Sequence, residues 1–358
     1  MKAVLFSLAF ALGLFFGFYP SLHKPRPLYW RIMTITILTL TVILALLPHT
    51  AGTFGDAIVS YRRMGSERDI PVKVKLLADT KIINKESHQI SFKAIDFTNN
   101  TLIFTVLFND DRTDLDQLTS ASSAIILLHR EGVDNVFRAG KTVVLNPTLT
   151  LPYILALEER ARILYFHVPM SWIATLAYIV AMIYAGMYLR RKNIRDDITS
   201  SSAAALGTLF CLLATVTGSI WAKFNWGEFW NWDPKETSIF VLLLIYAAYF
   251  ALRASIENEE RRARLSAVYA ILAAITVPFF LFILPRITKG LHPGSSDDVN
   301  AGAVISPQAD ALNSFKQIIL SLSFAGFTLL FFWMLSLQIR LKTITMKLLE
   351  RHNSNNER

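Results

Sequence analysis

Arg264-Leu-Ser-Ala-Val-Tyr-Ala-Ile-Leu-Ala-Ala-Ile-Thr-Val-Pro-Phe-Phe-Leu-Phe-Ile-Leu-Pro285 runs up to Arg286 with no charged side chain after Arg264. A helix needs about 20 predominantly apolar residues to cross the hydrocarbon core of a bilayer, where its backbone groups must be satisfied within the segment. The same test carried outward along the chain finds further candidates near 3–22, 29–49, 163–189, 199–222, 237–254 and 317–339. Seven spans are expected. The first has one basic residue before its apolar run and no convincing small-residue cleavage site, so it reads as a retained helix and not a signal peptide.

Composition agrees with lipid as the solvent. Of 358 residues, 53% are hydrophobic and only 18% charged, and the mean hydropathy is positive. The net charge of +9 does not point to nucleic acid, because the Lys and Arg residues fall mostly in short runs between apolar segments. Cys211, the single cysteine, lies inside an apolar stretch; this excludes a disulfide framework, a CxxC redox pair and a CxxCH haem-attachment site.

The basic runs set the orientation. His23 through Arg31, Arg190 through Arg195, Arg253 through Arg264 and the tail from Arg340 read as cytoplasmic. They alternate correctly for seven helices with an external N-terminus. The 50–162 region, the loop carrying Trp226–Thr237 and the loop 286–316 are then external.

The 50–162 region is polar and charged, with β-like runs at Val72–Leu77, Gln89–Ile95, Thr101–Phe108, Ser123–His129 and Lys141–Leu145. Five short strands separated by Asn, Asp and Gly turns suit a small inserted β-domain, with an OB-type barrel as one form.

The densest chemistry lies in Trp221-Ala-Lys-Phe-Asn-Trp226-Gly-Glu-Phe-Trp230-Asn-Trp232-Asp233-Pro-Lys235-Glu236-Thr237, which holds four of the seven tryptophans. Tryptophan concentrates at membrane interfaces, so an aromatic belt is the plain explanation. A belt needs only scattered rings, whereas here the rings are packed together with Asn225, Asn231, Asp233, Lys235 and Glu236. On a short helix Trp226 and Trp230, four apart, would share one face. Such a face suits a large planar ligand. Asp233 and Glu236 are expected to cap the helix starting near Pro234.

Trp226 through Thr237 resembles the tryptophan-rich WWD motif of the CcmC/CcsA haem-handling family of cytochrome c maturation. The resemblance implies that the motif lies on an external loop and contacts haem. Haem iron needs axial ligands, for which histidine is the usual residue. His167, in Arg162-Ile-Leu-Tyr-Phe-His-Val-Pro-Met-Ser-Trp172, opens the third span externally, and His292, in Gly290-Leu-His-Pro-Gly-Ser-Ser296, follows the sixth. Both segments are similar to the external histidine segments of the CcmC branch, which implies that His167 and His292 are the axial ligands. His49 is the rival. Haem propionates call for cations, and by resemblance Arg162 and Lys235 are the first choices; Arg286 and Lys289 serve equally well as headgroup contacts.

The resemblance covers roughly 150–345. The sequence Trp-Asp-Pro-Lys-Glu-Thr is closer to the CcsA type, while both histidine segments favour CcmC. Gly132 through Lys141 also loosely resembles a turn of the periplasmic haem chaperone CcmE, an OB fold, although CcmE's haem-attaching histidine motif has no counterpart here.

The expected protein is thus an all-α polytopic membrane protein of about seven transmembrane helices with an inserted, external, possibly OB-like β-domain. Its divisions are 1–49 (two N-terminal transmembrane helices), 50–150 (the β-rich domain), 151–345 (a five-helix haem-handling domain) and 346–358 (a cytoplasmic tail). It would bind haem b non-covalently, with Trp226, Trp230, Trp232, Asp233, Arg162 and Lys235 around the ring and His167 and His292 on the iron. From the bacterial inner membrane it would present haem on the periplasmic side, handing it to a CcmE-like chaperone among other cytochrome c maturation membrane proteins, without catalytic residues of its own. Two alternatives stay open: a CcsA-type component of a cytochrome c synthetase (haem lyase) acting with a membrane partner, and a transporter of another ligand with an aromatic belt.

Overall fold

The computed structural model describes residues 2–64, 69–96, 103–109, 111–131, 135–153, 162–292, 295–296 and 314–356. The chain divides into two compact units, Met1–Leu46 with Arg162–Arg358, and Leu47–Ala161. In chain order the helices are α1 (Lys2–Phe18), α2 (Leu28–Leu46), α3 (Phe54–Met64), α4 (Leu115–Ser120), α5 (Leu164–Arg191), α6 (Ile194–Trp226), α7 (Pro234–Ala254), α8 (Glu259–Pro278), α9 (Leu284–Ile287) and α10 (Ser314–Asn356). The strands are β1 (His49–Ala51), β2 (Ile70–Asn84), β3 (Gln89–Asp96), β4 (Ile103–Asn109), β5 (Ala124–Arg130), β6 (Val136–Leu145) and β7 (Thr150–Pro152).

Six helical segments in the first unit are long and apolar enough to cross a membrane: Leu28–Leu46, Leu164–Arg191, Ile194–Trp226, Pro234–Ala254, Glu259–Ile287 and Phe315–Leu349. The expected first span is helical and apolar but shorter, over Leu5–Phe18. Pro20 limits it, since proline has no N–H to continue the ladder. Among the described residues, length and composition therefore give six where seven were expected.

Capping explains the other boundaries. Asn193 accepts the Arg195 N–H, so α6 begins five residues before the expected position, with Asp196 and Asp197 facing the positive end of its dipole. Gly227, at φ 89°, ends α6 in the left-handed conformation that glycine adopts without strain. The opening stretch forms α8, then a π-helical turn at Phe279–Ile283 and the short α9. Pro278 and Pro285 bracket that turn, where donors are missing from the regular ladder.

The bundle core is aromatic at mid-height, with Tyr178 of α5 stacked on Tyr246 of α7 at 3.6 Å, both fully buried. α1 and α2 are tied to α10 through Arg26, whose guanidinium donates to the carbonyls of Gly17 (2.6 Å), Pro20 (2.8 Å) and Phe332 (3.3 Å). At the α5–α6 turn end, Arg253 makes a bidentate ion pair with Asp197 at 2.7 and 2.9 Å.

The second unit is a closed five-stranded barrel ordered β2-β3-β4-β6-β5, antiparallel except for the β4–β6 pair. Alternate residues fill it, among them Val72, Val74, Phe92, Val106, Ile126 and Phe137. Phe54 of α3 completes the core by stacking on Phe104 at 4.2 Å. β6 begins earlier than the expected Lys141, because it runs along β5 from Phe137 to Leu145 and its first residues, Val136–Arg138, also pair with β4. Residues 101–102 of the expected third strand, and 132–134 of the stretch likened to CcmE, lie outside the described residues.

Candidate functional site

A cavity of about 160 Å³ opens at the end of the helical unit where α6 stops and α7 starts. Its walls come from α5, α6, the 227–233 loop, the first turn of α7, the π-helical turn with α9, and the segment around His292. Most of the lining is apolar or aromatic, including Trp172, Trp221, Trp226, Trp230 and Phe282.

His167 and His292 both line this cavity. The His167 Nδ1 lies 3.0 Å from the Ala214 carbonyl and 3.2 Å from Thr217 Oγ1. A carbonyl only accepts, so Nδ1 carries the proton and Nε2 keeps its lone pair. The ring is held against the α6 backbone, because a Cβ at Gly218 would fall 2.9 Å from its Cε1.

His292 is flanked by Trp221 and Trp226, with ring centroids 5.8 and 6.2 Å away. Its Nδ1 is buried and has no hydrogen-bond partner among the described residues, and the same is true of Trp221 Nε1. Burial, then the nearby Lys235 charge and His167, hold the His292 imidazole well below its ordinary pKa. At neutral pH it is uncharged, the form that ligates a metal. A buried ring nitrogen with nothing to bond and a second imidazole locked into a defined tautomer together fit a pair of axial donors.

The tryptophan loop differs from the expected short helix. Trp226 is the last residue of α6, and Gly227 turns the chain away, so Trp226 and Trp230 do not share a helix face. Both still reach the cavity. Trp232 does not: it is 68% exposed, adopts φ 54°, and packs edge-on against Trp230 at 5.8 Å. A left-handed conformation is uncommon for a bulky side chain, and such strain clusters at functional sites.

Asp233 and Glu236 fix this loop as expected. They form a capping box at the start of α7, with Pro234 in the first turn. Glu236 accepts the N–H of Asn231 (2.7 Å) and of Asp233 (3.3 Å). The Asp233 carboxylate is 4% exposed; Oδ1 accepts from the Lys235 N–H at 2.9 Å and Oδ2 from the Leu291 N–H at 2.7 Å.

Among the cations, Lys235 and Arg286 line the cavity. Arg162 is not among the lining residues and donates to the Ala45 and Leu46 carbonyls at the end of α2 (2.9 and 3.2 Å). Lys289 is also absent from the lining, and His49 belongs to β1 in the barrel unit. Sequence reasoning did not single out Gly218, Gly290, Trp172 or Phe282. Trp172 was within reach, since it stands five residues after His167 in the quoted segment. The glycines carry no local signal.

Comparison with known proteins adds to this geometry. The family model described as "CcmC: Heme exporter protein C" matches residues 141–355, leaving most of the barrel outside the match. Heme exporter protein C of Paracoccus denitrificans is 28% identical over 179 residues, half of this chain and 71% of the relative. The protein of the same name from Rhodobacter capsulatus is 30% identical over an equal span. A putative cytochrome c biosynthesis ccmC-like mitochondrial protein of Marchantia polymorpha is 36% identical over 124 residues, 35% of this chain and 52% of the relative. With its apolar helices and a family match over more than half its length, the chain is a multi-pass membrane protein that belongs to the CcmC, or haem exporter protein C, family.

Proposed function

We propose that this protein binds haem b non-covalently and presents it for c-type cytochrome maturation, passing it to a CcmE-like chaperone. The observation that carries the reading is one cavity that gathers His167, His292 with its Nδ1 unpartnered among the described residues, and four tryptophans. His167, through Nε2, and His292 would hold the iron by their imidazole nitrogens. Trp221, Trp226 and Trp230 supply apolar surface, and Lys235 and Arg286 take the propionates through charge-assisted hydrogen bonds. Arg286 replaces Arg162 in that role, because Arg162 is engaged with α2. Trp232 stays outside, on the face available to an acceptor.

The enclosed volume, about 160 Å³, is below the ~300–1,000 Å³ usual for ligand clefts. A cavity of this size would enclose only part of a haem, and the part left open is what a handover requires. The protein's own contribution is orientation, with no bond-making group beyond the iron ligands.

The site faces the periplasm in a bacterial inner membrane, as the basic runs on the other ends of the helices support. α1 counts as the seventh crossing, at the short end of the spanning range, so the N-terminus is external. The barrel, read as OB-type from its closed five-strand order, is a periplasmic docking or spacer module. The proposal is tested by loading the purified chain with haem and adding a CcmE-like acceptor. Transfer of haem to the acceptor supports the reading. Covalent cytochrome formed with a membrane partner and no chaperone replaces it with the synthetase alternative, and a purified chain showing no Soret absorbance on haem addition overturns haem binding altogether.

A further inference from the structure

We infer that Asp233 is a positioning residue for the axial ligand His292, acting through the Leu291 amide across a gap that only glycine at 290 leaves open. The inference rests on His292 being an iron ligand, as proposed above. The described residues of the 288–296 segment form no regular element, and the bonds within it include the Ser296 N–H to the Thr288 carbonyl, the Ser295 N–H to the His292 carbonyl, and the Ser295 hydroxyl to the Gly290 carbonyl. These close the loop on itself, and Thr288 joins it to the Leu284 carbonyl of α9, but none of them ties it to the start of α7.

Asp233 does that. Its carboxylate, buried to 4% exposure, has its two oxygens turned to two different segments. Oδ1 caps α7, and Oδ2 takes the N–H of Leu291, the residue before His292, at 2.7 Å. That distance is in the short range of bonds to an ionised acceptor, about twice as strong as neutral ones. A Cβ at residue 290 would stand 2.6 Å from Oδ2 and 3.0 Å from Pro234 Cδ, so any side chain there pushes the loop away from the carboxylate. One buried acid thus ties the tryptophan loop, the start of α7 and the His292 loop into one unit, and the tryptophan wall and the second iron ligand move together.

The Leu291 contact can be cut in two ways that keep the α7 cap. Asp233→Asn retains a good N-cap, but an amide has one acceptor oxygen, so an NH2 donor then faces the Leu291 N–H. Gly290→Ala leaves the α7 cap intact and blocks only the approach. In the full chain loaded with haem b, both variants are expected to shift part of the iron from six-coordinate low spin to five-coordinate high spin. Haem loss to an apomyoglobin scavenger is expected to rise about tenfold or more, a factor that corresponds to about 1.4 kcal/mol. Amide hydrogen exchange at Leu291 should rise in the haem-free protein as well, which a role confined to capping α7 would not produce in Gly290→Ala. His292→Ala is run alongside. If it changes ligation while Asp233→Asn and Gly290→Ala both keep wild-type spectra and haem loss, the positioning role is overturned and the ligand assignment stands. If His292→Ala itself leaves the spectrum unchanged, the ligand assignment falls and the positioning role falls with it.

Discussion

Replacing Gly218 by alanine should loosen haem retention and lower the stability of the haem-free form. The substituted Cβ would stand 2.9 Å from His167 Cε1 and 3.4 Å from Nδ1. Carbon–carbon contacts relax at about 3.5–4.0 Å, so the ring must retreat by roughly 0.6 Å or more. The bond from Nδ1 to the Ala214 carbonyl is 3.0 Å long, and the retreat carries it to a length that no longer counts as a hydrogen bond. Losing it costs about 1 kcal/mol net, and overpacking adds about 1–3 kcal/mol, both acting at the ligand. Alanine in a helix interior meanwhile gains about 1 kcal/mol over glycine. The costs exceed the gain by about 1–3 kcal/mol, so the haem-free variant should melt below wild type, and with the ligand displaced its haem loss should rise about tenfold or more, at 1.4 kcal/mol per factor of ten. Thermal unfolding of the haem-free protein and haem transfer to a scavenger read the two quantities. Wild-type ligation and retention in Gly218→Ala would refute the reasoning; so would a haem-free form that melts at the wild-type temperature.

Three further outcomes are expected. Lys235→Ala and Arg286→Ala should each weaken haem binding by about tenfold, from loss of a charge-assisted bond worth about 1.5–3 kcal/mol, while Arg162→Ala should leave affinity unchanged and lower the melting temperature; haem titration of the three variants decides. Asp197→Ala, which leaves Arg253 buried without its partner at 16% side-chain exposure, should destabilise the bundle by about 3 kcal/mol, and Asp197→Leu with Arg253→Met should recover most of it in thermal unfolding. In the barrel, the Arg112 hydrogen bond, with help from Thr142, holds the Asp114 carboxyl below its ordinary range. A depressed folded value means its stabilisation is complete above the ordinary carboxylate range and is lost as pH falls through that range to the folded value. Hydrogen exchange of the barrel strands in the full chain should accelerate over that acid window, and Asp114→Asn should flatten the response.

The apolar runs located the helices because a membrane span is written in local composition. What composition does not carry is where a helix stops: the start of a helix near Pro234 was legible, but a short helix across Gly227 would have put Trp226 and Trp230 on a common face that does not exist. The cavity brings together Trp226, Trp230, Asp233, Lys235, His167 and His292, and leaves Trp232 and Arg162 outside. Arg162 was proposed by resemblance to a basic position of the CcmC-type pattern, yet its side chain reaches back across more than a hundred residues to the carbonyls of α2. Gly218 and Gly290 were illegible for a related reason. Each matters through an atom it lacks, and the neighbour that would meet that atom, His167 in one case and Asp233 in the other, is set by tertiary packing. The barrel was legible as five strands from alternation, but the split pairing of β6, and hence its early start, depends on two partner strands at once.

The most direct measurement is the optical and electron paramagnetic resonance spectrum of haem bound to the purified chain, with His167→Ala and His292→Ala beside it. The account predicts a six-coordinate, low-spin iron with two imidazole ligands in the wild type and altered ligation with reduced haem content in each variant. Unchanged haem content and ligation in both variants would contradict it.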